Sequence, residues 1–188
     1  MNIILASKSP RRTQILSEMG LKHQVIPSQE KEIIDEQLTP EEIVKSLAYQ
    51  KAMAISKNHP NDLVIGSDTI VVIENEILGK PKDKQDAIRM LKKLQNQTHK
   101  VITGVALICK DKTNIFQDTA FVTFNKMTEE DIEEYLETKK PYDKAGSYGI
   151  QDIDQKHIES IVGDFHTIVG LPKIKLQEQL DIFLKTLS

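Results

Sequence analysis

The segment Asp62–Ile73 constrains the fold more than any other. It is the most apolar stretch of the chain and is rich in Val and Ile, residues that favour strands. It is too short to cross a bilayer as a helix, which takes about 20 apolar residues. It therefore reads as a buried strand that other elements must cover. Gly66-Ser67-Asp68-Thr69 interrupts it and reads as a break. Asp68 shares a strand face with Val64 and Val72. A carboxylate on an apolar face must be paired, metal-bound or protonated. Two roles fit Asp68: a general base or metal ligand, and a structural aspartate hydrogen-bonding a turn at Gly66.

The rest of the chain alternates strand-like and helix-like segments, which indicates an α/β architecture. Asn2–Ala6 reads as a short buried strand. Ser9 then offers an N-cap, with Pro10 at the first helical position and a helix to about Met19, ended by Gly20. Leu21–Pro27 reads as a second strand and Gln29–Leu38 as a polar loop. Thr39-Pro40-Glu41-Glu42 is a capping box that opens a helix to about Lys57. On that helix Ile43, Val44, Leu47, Ala48, Ala54 and Ile55 fall within roughly 140° of arc, and Lys51 falls near its middle. Glu74-Asn75-Glu76 reads as a turn and Asp83–Gln95 as an amphipathic helix. Lys100–Cys109 and Asn114–Asn125 read as long strands around a hairpin at Lys110–Thr113. Thr128–Thr138 reads as a helix, Tyr142–Asp152 as a glycine-punctuated loop, His157–Val162 as a strand and Pro172–Leu184 as a C-terminal helix.

Composition narrows the function classes. Of 188 residues, 39% are hydrophobic and 28% charged, enough apolar material to exclude wholesale disorder. A net charge of -3 and an aromatic content of 5% argue against a nucleic-acid module, although a local basic site fits. A single cysteine, Cys109, excludes an intramolecular disulfide and a cysteine-based metal cage. No segment reads as a membrane span or signal peptide, so a cytoplasmic protein is expected.

Four segments can carry chemistry. In Ser7-Lys8-Ser9-Pro10-Arg11-Arg12, two arginines occupy the first turn of a helix. Cations are disfavoured at that positive end. They fit there if an anion such as phosphate binds between them, or if they are solvated behind an ordinary Ser-Pro cap. Lys51, on its apolar face, needs an anionic partner, a shifted pKa or an exposed edge. Lys80, in Gly79-Lys80-Pro81, suits a phosphate as a point charge or sits in a solvated turn. Lys144-Ala145-Gly146-Ser147-Tyr148-Gly149-Ile150-Gln151 is an ordinary glycine turn or a close backbone approach to a ligand, with the Gln151 amide reading a base edge. A phosphate-binding Walker loop, a G-x-G-x-x-G, a G-x-S-x-G elbow and metal-ligand histidine spacing are all absent from the sequence.

Together these segments resemble the Maf family of nucleoside triphosphate pyrophosphatases. The matching motifs are Ser7-x-Ser9-Pro10-Arg11-Arg12, Glu32, Ala48-x-x-Lys51-Ala52, Gly66-Ser67-Asp68-Thr69, Leu78-Gly79-Lys80-Pro81 and His99-x-Val101-x-Thr103-Gly104-Val105. They continue with Asp143-Lys144-Ala145-Gly146-x-Tyr148-Gly149-Ile150-Gln151, Gly163-Asp164-Phe165 and Val169-Gly170-Leu171-Pro172. They are ordered and cover nearly the whole chain, as one domain over residues 1–188.

The resemblance implies a long curved mixed sheet flanked by helices, with two lobes and a central cleft, as in inosine-triphosphatase-type enzymes. It implies hydrolysis of a nucleoside triphosphate to monophosphate and pyrophosphate, a divalent metal (Mg²⁺ or Mn²⁺) and a homodimer; charge, aromatic content and the lack of a spanning segment argue against nucleic acid or membrane as partner. Arg12, Thr69 and Gln151 resemble the branch acting on dTTP and UTP, where the branch preferring 7-methyl-GTP differs. Ser7, Ser9, Arg11, Arg12, Lys51, Thr69, Lys80, Lys144 and Gln151 are then expected to bind substrate. Glu32 and Asp68 are expected to hold the metal, with Asp68 also activating water. Ser67, Asn96, Asp152 and His166-Thr167 depart from the family's usual residues. The alternative is a non-catalytic nucleotide-binding regulator of cell division or septum formation, which would not need carboxylates beside phosphates.

Overall fold

The computed structural model describes residues 1–187. One mixed sheet of seven strands runs through the molecule: β1 (Ile3–Leu5), β2 (Gln24–Val25), β3 (Leu63–Ile73), β4 (Glu76–Leu78), β5 (Thr98–Cys109), β6 (Lys112–Phe124) and β7 (Ile158–Val162). Their order is β2-β1-β3-β5-β6-β7, with β4 also pairing β3. The β1 pairings to β2 and β3 are parallel, and the rest are antiparallel. Among the described residues six α-helices flank the sheet: α1 (Pro10–Glu18), α2 (Pro40–Ser56), α3 (Lys84–Leu94), α4 (Glu129–Lys139), α5 (Phe165–Val169) and α6 (Lys173–Thr186). No helix among the described residues is long and apolar enough to cross a membrane.

The expected break at Gly66–Thr69 does not occur. β3 is continuous, because its backbone pairs with β5 from Val64↔Ile108 to Val72↔Lys100. The polar side chains are accommodated by alternation, successive residues entering opposite faces of the sheet. The second strand shrinks from Leu21–Pro27 to Gln24–Val25, whose two residues are both exposed and bury no apolar face. The expected turn at Glu74–Glu76 is tighter: Glu74 and Asn75 adopt left-handed backbone (φ 49° and 67°), and Glu76 already opens β4. The β5–β6 hairpin turns at Lys110-Asp111, with Lys110 at φ 55° and Cys109 paired to Lys112. The sequence reading missed α5, although Asp164 is its N-cap, accepting from His166 N.

The core has two sides. Helix α2 covers one face of the sheet, packing Val44, Ala48 and Ala52 on Ile4, Val64, Ile70, Ile102 and Ala106. The other face carries the larger cluster, where Leu5, Ile65, Val105 and Leu107 meet Leu16 of α1, Leu91 of α3, Leu136 of α4 and Leu180 of α6. The capping box on α2 forms: the Thr39 side chain accepts from Glu42 N while Glu42 accepts from Thr39 N.

His99 of β5 is buried among the rings of Phe124 and Tyr148, at centroid distances of 5.0 and 5.4 Å. Its Nε2 lies 2.7 Å from the Tyr148 hydroxyl, and its Nδ1 has no hydrogen-bond partner among the described residues. Burial pulls its pKa down from 6.5 to about 4. Between those values the unfolded chain takes up a proton that the folded chain refuses, so acidification through that window destabilises the fold. We expect the loss of stability between pH 7 and pH 5, read from urea unfolding, to shrink by about 2 kcal/mol in His99→Gln. An unchanged loss would mean that His99 is not the group responsible.

Candidate active site

A cleft of about 1030 Å³ opens beside the central strands. It brings together every candidate named from the sequence: Ser7, Ser9, Arg11, Arg12, Glu32, Lys51, Asp68, Thr69, Lys80, Lys144 and Gln151. Strand β3 organises it, because Asp68 and its neighbour Thr69 point to opposite faces of the sheet.

On the α2 face, Lys51 reaches Asp68 and hydrogen-bonds its carboxylate. Its ammonium also lies 3.2 Å from Glu32 Oε1. This accounts for a lysine on an apolar helix face: its charge meets two carboxylates. The close approach depends on Gly66 and Gly104. A Cβ at Gly66 would lie 2.2 Å from Ala48 O, and one at Gly104 would lie 2.3 Å from Val44 O. Gly104 is the direct cross-strand partner of Asp68.

On the opposite face, Arg12 is buried at the start of α1 and its planar fork is held at three points. Nε donates to Gly170 O at 2.7 Å, Nη1 to Ser7 Oγ at 3.0 Å and Nη2 to Thr69 Oγ1 at 3.1 Å. Burial pulls its pKa down from the usual guanidinium range, and the charge of Asp68 pulls the other way. The Ser9 side chain makes no capping bond, although Ser9 is the N-cap residue of α1; Ser7 Oγ accepts from Ser9 N at 3.3 Å instead. Of the two sequence readings of this segment, the solvated pair fails for Arg12, whose charge is enclosed. Arg11 stays partly exposed, 3.8 Å from Asp143.

The remaining wall joins Lys80 to the glycine loop. Gly146 N donates to Gly79 O at 3.0 Å, and Gly149 N donates to the Tyr135 hydroxyl at 3.0 Å. Burial pushes the Tyr135 hydroxyl up to about 12, so it remains protonated. Tyr148 is anchored by His99, and Gln151 is exposed on the rim. Lys144 is engaged by Asp143 at 3.0 Å and by Asp152 at 3.6 Å. Asp152, a departure from the family's usual glycine, thus has a partner in the structure.

Sequence reasoning missed a second layer behind Arg12 and Thr69. Ser67 Oγ donates to Gly170 O at 3.0 Å. Thr103 Oγ1 lies 2.8 Å from Thr69 Oγ1 and donates to Thr167 O at 2.8 Å. Thr103 stands in a buried apolar strand, and a hydroxyl at such a position is the signal that could have found it.

Glu32 and Asp68 converge on one cationic point, the Lys51 ammonium. A hard divalent cation takes oxygen ligands of this kind, with one or two carboxylates completed by waters and phosphate oxygens. The residues therefore fit such an ion. No cluster of three or more metal-ligating side chains occurs among the described residues.

Residues 2–183 match the family described as Maf-like protein. A "dTTP/UTP pyrophosphatase" of Bacillus anthracis is 47% identical over 181 residues, covering 96% of this chain and 95% of the relative. Another of the same name from Clostridioides difficile is 47% identical over 182 residues, covering 96% and 94%. Among solved structures, a HAM1 protein from Coxiella burnetii aligns over 99% of both chains with a TM-score of 0.50 at 14% identity. That likeness speaks for the fold alone.

Proposed function

The chain belongs to the Maf-like family, and from that premise we propose that it hydrolyses dTTP and UTP to the nucleoside monophosphate and pyrophosphate. The observation that carries the reading is the cluster of Lys51, Glu32 and Asp68 in a cleft that also holds Arg11, Arg12, Lys80 and Lys144. A protein of net charge -3 concentrates cations there, which suits a polyphosphate. Two carboxylates in the same place suit hydrolysis, because binding alone is served by cations.

In this reading the triphosphate lies along the wall formed by Arg11, Lys80 and Lys144. Their charge meets the negative charge that builds on the leaving pyrophosphate. Asp68 accepts a proton from the attacking water at its carboxylate oxygen. The water oxygen bonds to the α-phosphorus as the bond to the bridging oxygen breaks. Lys51 holds Asp68 and Glu32 in place and offsets their mutual repulsion. A divalent cation bound by Glu32 and Asp68 would neutralise phosphate charge. Arg12, Thr69 and Gln151 meet the pyrimidine.

The test is pyrophosphate release from a panel of nucleoside triphosphates with Mg²⁺ or Mn²⁺. Release from dTTP and UTP above the purine nucleotides is the expected result, and preference for a purine would overturn the base assignment. Glu32→Gln should raise the metal concentration for half-maximal turnover by at least about tenfold. An unaltered metal dependence removes Glu32 from the ligand set.

A further inference from the structure

The hydroxyl network behind Arg12 has a fixed direction. Arg12 has no acceptor, so its Nη2 donates to Thr69 Oγ1. Thr103 has one hydroxyl proton, and it goes to the Thr167 carbonyl. The Thr69–Thr103 contact at 2.8 Å can then be made only by the Thr69 proton. Thr167 is held from its other side, its hydroxyl donating to Asp118 Oδ2 at 2.5 Å. Thr69 has therefore committed its proton to Thr103 and one lone pair to Arg12. What remains to the cleft is one lone pair, an acceptor with no donor.

We propose that Thr103, which does not line the cleft, is a specificity-positioning residue: by taking the Thr69 proton it fixes Thr69 as an acceptor for the N3–H of an imide base. This rests on the pyrimidine reading above and deepens it. Uracil and thymine present acceptor, donor, acceptor along their pairing edge. Cytosine presents an acceptor at N3, which would face the Thr69 lone pair without a proton between them. Arg12 leaves two of its five N–H groups uncommitted among the described residues, and these can serve a neighbouring carbonyl. An acceptor beside donors matches the imide and rejects cytosine. A site built to hydrogen-bond one group discriminates strongly against its replacement.

The experiment compares kcat/KM for UTP and CTP in wild type, Thr103→Val and Thr103→Ser. Valine preserves shape and removes the hydroxyl, so Thr69 can turn its proton towards cytosine N3. The expected result is a UTP/CTP ratio lowered by at least about tenfold in Thr103→Val. Serine restores the ratio by restoring the hydroxyl, which a purely structural role would not require. A ratio unchanged in folded Thr103→Val overturns the proposal while leaving the enzymatic reading intact.

A second measurement needs only the wild type. The N3 proton of 5-fluoro-UTP is lost at lower pH than that of UTP. Its kcat/KM should fall at correspondingly lower pH, and coincident profiles overturn the N3–H assignment. Absence of UTP hydrolysis in the wild type would overturn the underlying reading itself.

Discussion

Asp68→Asn is expected to lower kcat for UTP and dTTP by about 10²–10⁴, the loss associated with removing a general base. Asparagine keeps the shape and a hydrogen bond to Lys51 but cannot take a proton from water. It also leaves Glu32 as the one charged partner of the Lys51 ammonium among the described residues. Nucleotide binding should survive, because Arg11, Arg12, Lys80 and Lys144 are untouched. The distinguishing measurement is therefore single-turnover hydrolysis set beside nucleotide affinity. Turnover within about threefold of wild type would remove Asp68 from its role as base, since general-base catalysis is worth far more.

The centre of this site was visible in the sequence through two contradictions. A lysine in the middle of an apolar helix face and an aspartate on an apolar strand face each violate the pattern of their element. Neither could be assigned a partner without knowing which elements pack, and the structure shows that each is the other's partner. Arg12 was legible as an anomaly at a helix N-terminus, but its three anchors were not. Two of them, Thr69 and Gly170, are 57 and 158 residues away in sequence, so only the folded chain brings them near. The error at Gly66–Thr69 has a related cause. Small and polar residues usually punctuate a strand, and here the packing of α2 and the hydroxyl network override that tendency. Lys144 illustrates the limit of reading charge alone, because its carboxylate neighbours Asp143 and Asp152 share its ammonium.

Gly104→Ala should damage both stability and turnover. Its new Cβ would meet the backbone of α2 at 2.3 Å from Val44 O and 2.9 Å from Lys45 N. Backbone cannot turn aside as a side chain does, so the helix must lift from the sheet. Overpacking of this kind costs about 1–3 kcal/mol and sometimes more. The displaced element is also the one that carries Lys51 to Asp68, and Asp68 is the cross-strand neighbour of Gly104. A misplacement of about 1 Å can cost 10²-fold in rate. The expected outcome is thus a lowered melting temperature together with a fall in kcat larger than the loss of folded protein explains. Gly79→Ala is the stability control, since nothing lies within 4 Å of a Cβ there and no positive φ has to be held. Equal melting of Gly104→Ala and wild type would mean that α2 does not rest on the sheet at this point. The glycine would then have no part in holding lysine and aspartate together.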